Sequence, residues 1–71
     1  MSDPREAVLL VLGEAQEPLH WTVVLDRALR GGHLDPFTTP DVRGEVQRAL
    51  HALLAQGAIV KAAKGVYSLP A

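Results

Sequence analysis

The clearest pattern in the sequence is helical and lies between residues 40 and 56. Apolar residues recur there at the spacing of a single helix face; they are Val42, Val46, Ala49, Leu50, Leu53 and Leu54. Thr39 and Pro40 stand before this run as the expected cap and first helical residue, and Gly57 follows it. The pattern therefore predicts a long helix over residues 40–56 with one buried face.

Two shorter helices are predicted before it, over residues 4–15 and 22–30. Asp3 followed by Pro4 is a helix-start signal, and Thr22 is the expected cap of the second helix. Their buried sides are expected to consist of Val8, Leu9, Val11 and Leu12 in the first helix and Val23, Val24, Ala28 and Leu29 in the second.

Isolated large apolar residues are expected to complete the core. Leu34 and Phe37, in the loop after the second helix, should point inward. Trp21 and Tyr67 are also expected in the core, because large aromatic side chains supply much of the buried area of a small domain. A stacking or partner-binding role for Trp21 is the alternative.

After the third helix the period of the pattern changes from about 3.6 to about 2 residues, which indicates strands. Two strands are predicted over residues 58–62 and 66–69, joined by a tight turn that contains Gly65. Leu69 is expected to help hold the returning strand to the core. A further short strand is predicted over residues 19–21.

Composition places the chain among small globular domains. It has 71 residues, 48% hydrophobic and 21% charged, and no cysteine, which excludes disulfides and thiolate zinc sites. No apolar run approaches the ~20 residues of a membrane span. The first residues lack the basic and then apolar pattern of a secretory signal. We therefore expect a cytoplasmic protein, associated with the nucleoid if it binds DNA.

Charge is divided unevenly along the chain. Residues 1–37 carry six acidic and three basic side chains, a net charge of −3, whereas residues 38–71 carry two acidic and four basic ones, a net charge of +2. The total of −1 argues against a protein that coats nucleic acid through bulk charge. The C-terminal half is the part with a basic character.

The order helix, short strand, helix, long helix and hairpin is that of a winged helix–turn–helix, an α+β fold. The sequence resembles the HARE-HTH winged-helix domains in Pro18-Leu19-His20-Trp21, in Gly31-Gly32-His33-Leu34 followed by Thr39-Pro40, and in Gly57-Ala58-Ile59-Val60-Lys61 with Lys64-Gly65-Val66-Tyr67-Ser68-Leu69. The resemblance spans about Arg5 to Pro70, a single domain. The closing Gly-Val-Tyr-x-Leu element is also similar to the wings of other small bacterial winged-helix regulators.

The resemblance implies a function that involves DNA. The HARE-HTH family is generally taken to bind DNA, and it occurs fused to chromatin proteins, fused to restriction and modification enzymes, and within the delta subunit of bacterial RNA polymerase. Helix–turn–helix proteins place the second helix of the motif in the major groove. Residues 40–56 would then enter the groove, and the wing at residues 61–65 would contact the adjoining backbone or the minor groove.

The candidate DNA-binding residues lie opposite the apolar stripe of that helix, at its start and on the wing. They are Thr38, Thr39, Arg43, Gly44, Gln47, Arg48, His51, Lys61, Lys64 and Gly65. Arginine and glutamine suit guanine and adenine edges, and threonines at a helix start suit a phosphate. At 100° per residue, the basic and acidic side chains of the helix are expected on separate flanks. Any solvated helix face could carry the same residue types.

Two features of the helix leave alternatives open. Gly44 is unfavourable inside a helix, which indicates a close approach by a DNA backbone or a neighbouring helix, or else a neutral surface position. Asp41 and Glu45 suit the helix dipole but would repel phosphates if they faced DNA. The alternative function is therefore a protein-interaction winged helix that docks on a polymerase, a nuclease or another copy of itself. It would use Leu34, Phe37 and the acidic first half.

Catalysis is not expected. The histidines His20, His33 and His51 lack the i, i+4 spacing of a metal site, and Ser2 and Ser68 lack an activating partner. We expect no enzyme activity, no metal and no cofactor. The expected partner is double-stranded DNA, and tight binding by so few cations would require a homodimer or a fused or associated protein. No membrane partner is expected.

Overall fold

The structure, a computed structural model, describes residues 3–71, so Ser2 lies outside the described part. Its helices are α1 (Pro4–Ala15), α2 (Trp21–Arg30) and α3 (Val42–Ala55), and its strands are β1 (Leu19–His20), β2 (Val60–Ala63) and β3 (Val66–Ser68). Three helices with a small antiparallel sheet confirm the α+β class, and the layout is compatible with a winged helix.

The sheet has β3 at its centre, with the strand order β1-β3-β2. Leu19 pairs with Tyr67 across the β1–β3 ladder, and Lys61 pairs with the same Tyr67 from β2. The β2–β3 register is irregular between Lys61 and Ala63, where a bulge interrupts the ladder. The two-residue strand β1 therefore ties the hairpin to the chain that enters α2.

The core is a single cluster to which all three helices and the sheet contribute. Its buried members are Ala7, Val8, Val11, Leu12, Leu19, Val24, Ala28, Leu34, Val46, Ala49, Leu50, Leu53, Ile59 and Tyr67. The predictions that Leu34 and Tyr67 are buried are confirmed. Trp21 is half-buried and packs against this cluster, so it belongs to the core only in part.

Three residues predicted to be buried are exposed. Phe37 is 94% exposed, because the Asp35 carboxylate accepts its backbone N–H at 2.9 Å and holds it on an outward turn. Leu69 follows the end of β3 and is 38% exposed. Val23 lies on the outer side of α2, away from the buried Val24.

The second helix begins one residue earlier than predicted. Its cap is His20, not Thr22: the His20 Nδ1 accepts the backbone N–H of Thr22 at 3.3 Å and lies 2.7 Å from the Thr22 hydroxyl. Trp21 is consequently the first residue of α2 and not the end of the short strand.

The third helix begins two residues later than predicted. Asp41 caps it by accepting the Gly44 N–H at 3.1 Å, so neither the Thr39 cap nor the Pro40 start is correct. The Thr39 N–H instead donates to the Asp35 carbonyl at 3.0 Å, which keeps this segment in a separate turn. The first helix has the predicted bounds and its predicted cap.

The end of α3 explains why β2 starts at Val60 and not at residue 58. Gly57 has a φ of 75°, its N–H donates to the Leu54 carbonyl, and the Ala58 N–H donates to the Leu53 carbonyl. These two bonds form a Schellman motif that keeps the backbone against the helix end. Among residues 3–71, no helix has the length and apolar character needed to cross a membrane.

The hairpin turn requires glycine at position 65, which gives a testable prediction. Gly65 and Gly57 both have positive φ, but an added Cβ would lie 3.0 Å from the His20 Nε2 at Gly65 and would meet nothing within 4 Å at Gly57. We expect Gly57→Ala to lower the free energy of unfolding by about 1–2 kcal/mol. Gly65→Ala should cost more, because it also displaces the capping imidazole.

Urea unfolding followed by circular dichroism at 222 nm measures both losses. In a His20→Ala background, the cost of Gly65→Ala should fall to that of Gly57→Ala. Equal costs in the wild-type background would show that His20 does not restrict the turn.

Candidate nucleic-acid interface

Trp21 brings three elements of the fold together. It is the first residue of α2, and its backbone N–H donates to the Gly65 carbonyl of the hairpin turn at 2.9 Å. The guanidinium carbon of Arg43, in the first turn of α3, lies 5.2 Å from the centroid of its ring, within the range of a cation–π interaction. The starts of both helices and the hairpin turn therefore meet at one point.

Two candidate residues continue from Arg43 along α3. Gln47 and His51 follow it at i+4 and i+8, the spacing that places side chains on one helix face, and both are exposed. On the hairpin, Lys64 is exposed in the turn beside Gly65. We call this set the Trp21 surface; it consists of Trp21, Arg43, Gln47, His51, Lys64 and Gly65.

Arg48 is engaged elsewhere. Its Nη2 donates to the Glu45 Oε1 at 2.7 Å and lies 3.9 Å from the Asp41 Oδ2. The hydrogen bond that Arg48 donates to Glu45 and the negative charge of that carboxylate raise the pKa of Arg48. The expectation that the two signs of charge on α3 are separated is therefore wrong for this arginine, because it pairs with both acids.

Gly44 is explained by the helix cap. A Cβ at this position would collide with the carboxylate of Asp41, which reaches over Gly44 to accept its backbone N–H. The Nη1 of Arg48 would lie 3.1 Å from the same Cβ. The close neighbours of Gly44 are thus the capping side chain and an arginine of its own helix, not another helix.

Thr38 and Thr39 lie in acidic surroundings. Their backbone N–H groups donate to the Asp35 carbonyl, and both residues line a cleft together with Asp3, Glu6 and Asp35. The carboxylates that line this cleft with the threonines are unfavourable for a phosphate, since like charges repel. The structure therefore does not favour these threonines as phosphate ligands.

The wing lysines differ in position. Lys64 is in the turn, next to the Gly65 that bonds to Trp21, whereas Lys61 is an exposed residue of β2 three positions earlier. Beyond the start of α3, residues 42–71 contain one acidic side chain, Glu45, and it binds Arg48. Within residues 3–71, Arg43 and the two lysines make no ion pair.

The sequence pattern did not predict that His20 and Thr22 adjoin this surface. The His20 ring lies 6.0 Å from the Trp21 ring, and its Nδ1 caps α2 by accepting the Thr22 N–H. A side-chain acceptor two residues before a threonine at a helix start is the signal that could have identified this cap.

Comparisons of the chain with protein-family models, with curated proteins and with solved structures give no match. Among residues 3–71, no three His, Asp or Glu side chains are grouped as a metal site would require.

The position of the Asp41 carboxylate over Gly44 predicts a stability effect that depends on Asp41. Alanine normally gains about 1 kcal/mol over glycine inside a helix. In the wild-type background we expect Gly44→Ala to give no gain or a loss, because the new Cβ displaces the Asp41 carboxylate. In an Asp41→Ala background, the same change should stabilise the protein by about 1 kcal/mol.

Chemical unfolding of the wild type, the two single variants and the double variant gives the coupling between the two sites. An effect of Gly44→Ala that is the same in both backgrounds would contradict the steric role of Asp41.

Proposed function

We propose that the chain is a DNA-binding winged-helix domain of the HARE-HTH type. It would serve as a transcription regulator or as the DNA-targeting module of a larger DNA-processing protein. The observation that carries the proposal is the contact of Arg43 with Trp21 beside the Gly65 carbonyl. This contact joins α3, the start of α2 and the hairpin turn in one surface. The cations of this surface are Arg43 on α3 and Lys64 in the hairpin turn.

The side chains of α3 on this surface suit the major groove. The ring of Trp21 restricts the guanidinium of Arg43, so less rotamer freedom is lost when the arginine donates to a guanine edge. Gln47, one turn further, has the donor and acceptor pair that matches adenine. His51 is a further donor on the same helix face.

The hairpin suits the phosphate backbone. Lys64 is exposed at the tip of the turn. Gly65, beside it, has no side chain that would keep the main chain of the turn away from a phosphate. Lys61 adds a second exposed ammonium group on β2. Point charges of this kind contact phosphates and position a protein on the duplex without reading its sequence.

A monomer with these few cations is expected to bind DNA weakly. Each phosphate contact releases counterions, so affinity should fall steeply and log-linearly with salt, with a slope of about −0.9 for each contact. Tight binding would then require two copies or a fused partner, and two copies would read half-sites about 34–36 Å apart.

The test is fluorescence anisotropy of a labelled random-sequence duplex, titrated with the protein at several salt concentrations. We expect Arg43→Gln with Lys64→Gln to weaken binding about tenfold or more at low salt. The same variant should reduce the magnitude of the salt slope by about 2, since two phosphate or base contacts lose their cations.

The matched control is Glu45→Gln with Arg48→Gln, which changes two charged residues of α3 outside the Trp21 surface and leaves the net charge unchanged. Because the two charges already compensate each other, binding should stay within about twofold of the wild type. No binding by the wild type at low salt would refute the proposal. Equal losses in the two variants would refute the assignment to the Trp21 surface.

A further inference from the structure

The outward side of α1 is a second surface with a different character. Glu6, Leu10 and Glu14 follow one another at i, i+4 and i+8, so they form a straight row along the helix. Leu10, at the centre of this row, is 51% exposed between the two carboxylates. An apolar side chain is thus presented to solvent between two negative charges.

Two adjoining clefts extend this row on either side. Both are lined by Glu6 and Leu10; one adds Leu9 and Gly13 of α1, and the other reaches the loop between α2 and α3 at Asp35. Among the described residues that line the two clefts there is no lysine or arginine. We call this row with its two clefts the α1 face.

Phe37 stands beside the α1 face on an ordered turn. It lies between Asp35 and Thr38, which both line the second of these clefts, and its side chain is almost wholly exposed. The Asp35 carboxylate accepts the Phe37 N–H, and the Asp35 carbonyl accepts the N–H groups of Thr38 and Thr39. Because these hydrogen bonds already restrict the turn, little further conformational entropy is lost when a partner covers Phe37.

We propose that the α1 face and Phe37 together bind a basic amphipathic segment of another protein. Leu10 and Phe37 would contact its apolar side chains, and Glu6, Glu14 and Asp35 would contact its lysines and arginines. Apolar anchors flanked by complementary charge are the usual means by which a groove recognises a helical peptide.

The charge of the α1 face argues against two other occupants, nucleic acid and a second copy of the chain. Glu6 and Asp35 make no ion pair within residues 3–71, and Glu14 lies 3.5 Å from the His33 Nε2. The face therefore keeps an acidic character that repels nucleic acid, and a two-fold pairing of two α1 faces would set acid against acid. The residues of this face are also distinct from those of the Trp21 surface. The inference is therefore independent of DNA binding.

The experiment is selection of a random-peptide phage library on the wild-type protein, followed by anisotropy with the selected peptides in solution. We expect the selected sequences to combine lysine or arginine with leucine, isoleucine or phenylalanine at helical spacing. Leu10→Ser and Phe37→Ser should each weaken them about tenfold or more. Glu6→Gln with Glu14→Gln should weaken them and reduce their salt dependence.

Val23→Ser is the matched control, because it removes an exposed apolar side chain from α2, outside the α1 face. It should leave peptide binding unchanged, and circular dichroism should show all variants folded. Duplex binding should be the same in Leu10→Ser and Phe37→Ser as in the wild type.

The proposal is overturned if no peptide is enriched, if the enriched peptides are acidic, or if Leu10→Ser and Phe37→Ser leave binding unchanged. Sedimentation that shows a wild-type dimer lost in Leu10→Ser would identify a second copy as the occupant instead. Loss of duplex binding in the same variants would assign the face to nucleic acid.

Discussion

The pairing of β1 with β3 is the constraint on which the rest of the structure depends. An isolated two-stranded hairpin is at best marginally stable in water. Here Leu19 pairs with Tyr67, and both side chains are buried in the helical core. The two-residue strand thus supplies a third strand and a hydrophobic anchor together. It also leads directly into α2, so the Gly65 carbonyl meets the Trp21 N–H and the hairpin turn keeps a defined position.

The periodicity of apolar residues, at the helical spacing and then at the strand spacing, was sufficient to predict the class of the fold and most of the core. It failed at the starts of α2 and α3, where short-range hydrogen bonds decide the backbone conformation. Asp41 competes successfully with Thr39 because its carboxylate reaches the Gly44 N–H. Phe37 shows the same effect in the loop, where hydrogen bonds to Asp35 form a turn that leaves the aromatic ring exposed.

The candidate interface was predictable only in part. A helical wheel places Arg43, Gln47 and Arg48 on one broad polar side, but it contains no information about which carboxylate a long side chain will reach. The pairing of Arg48 with Glu45 depends on rotamers, and the contact of Arg43 with Trp21 depends on how α2 packs against α3. Long-range contacts of this kind are set by the tertiary fold and leave no local periodicity in the sequence.

The irregular strand β2 has a consequence for the behaviour of the protein at high concentration. All four of its residues are exposed at the edge of the sheet, where unpaired backbone groups could recruit a strand from another molecule. The bulge after Lys61 and the charge of that lysine both disfavour such pairing. The hairpin can therefore project from a very small domain without acting as a template for fibrous aggregates.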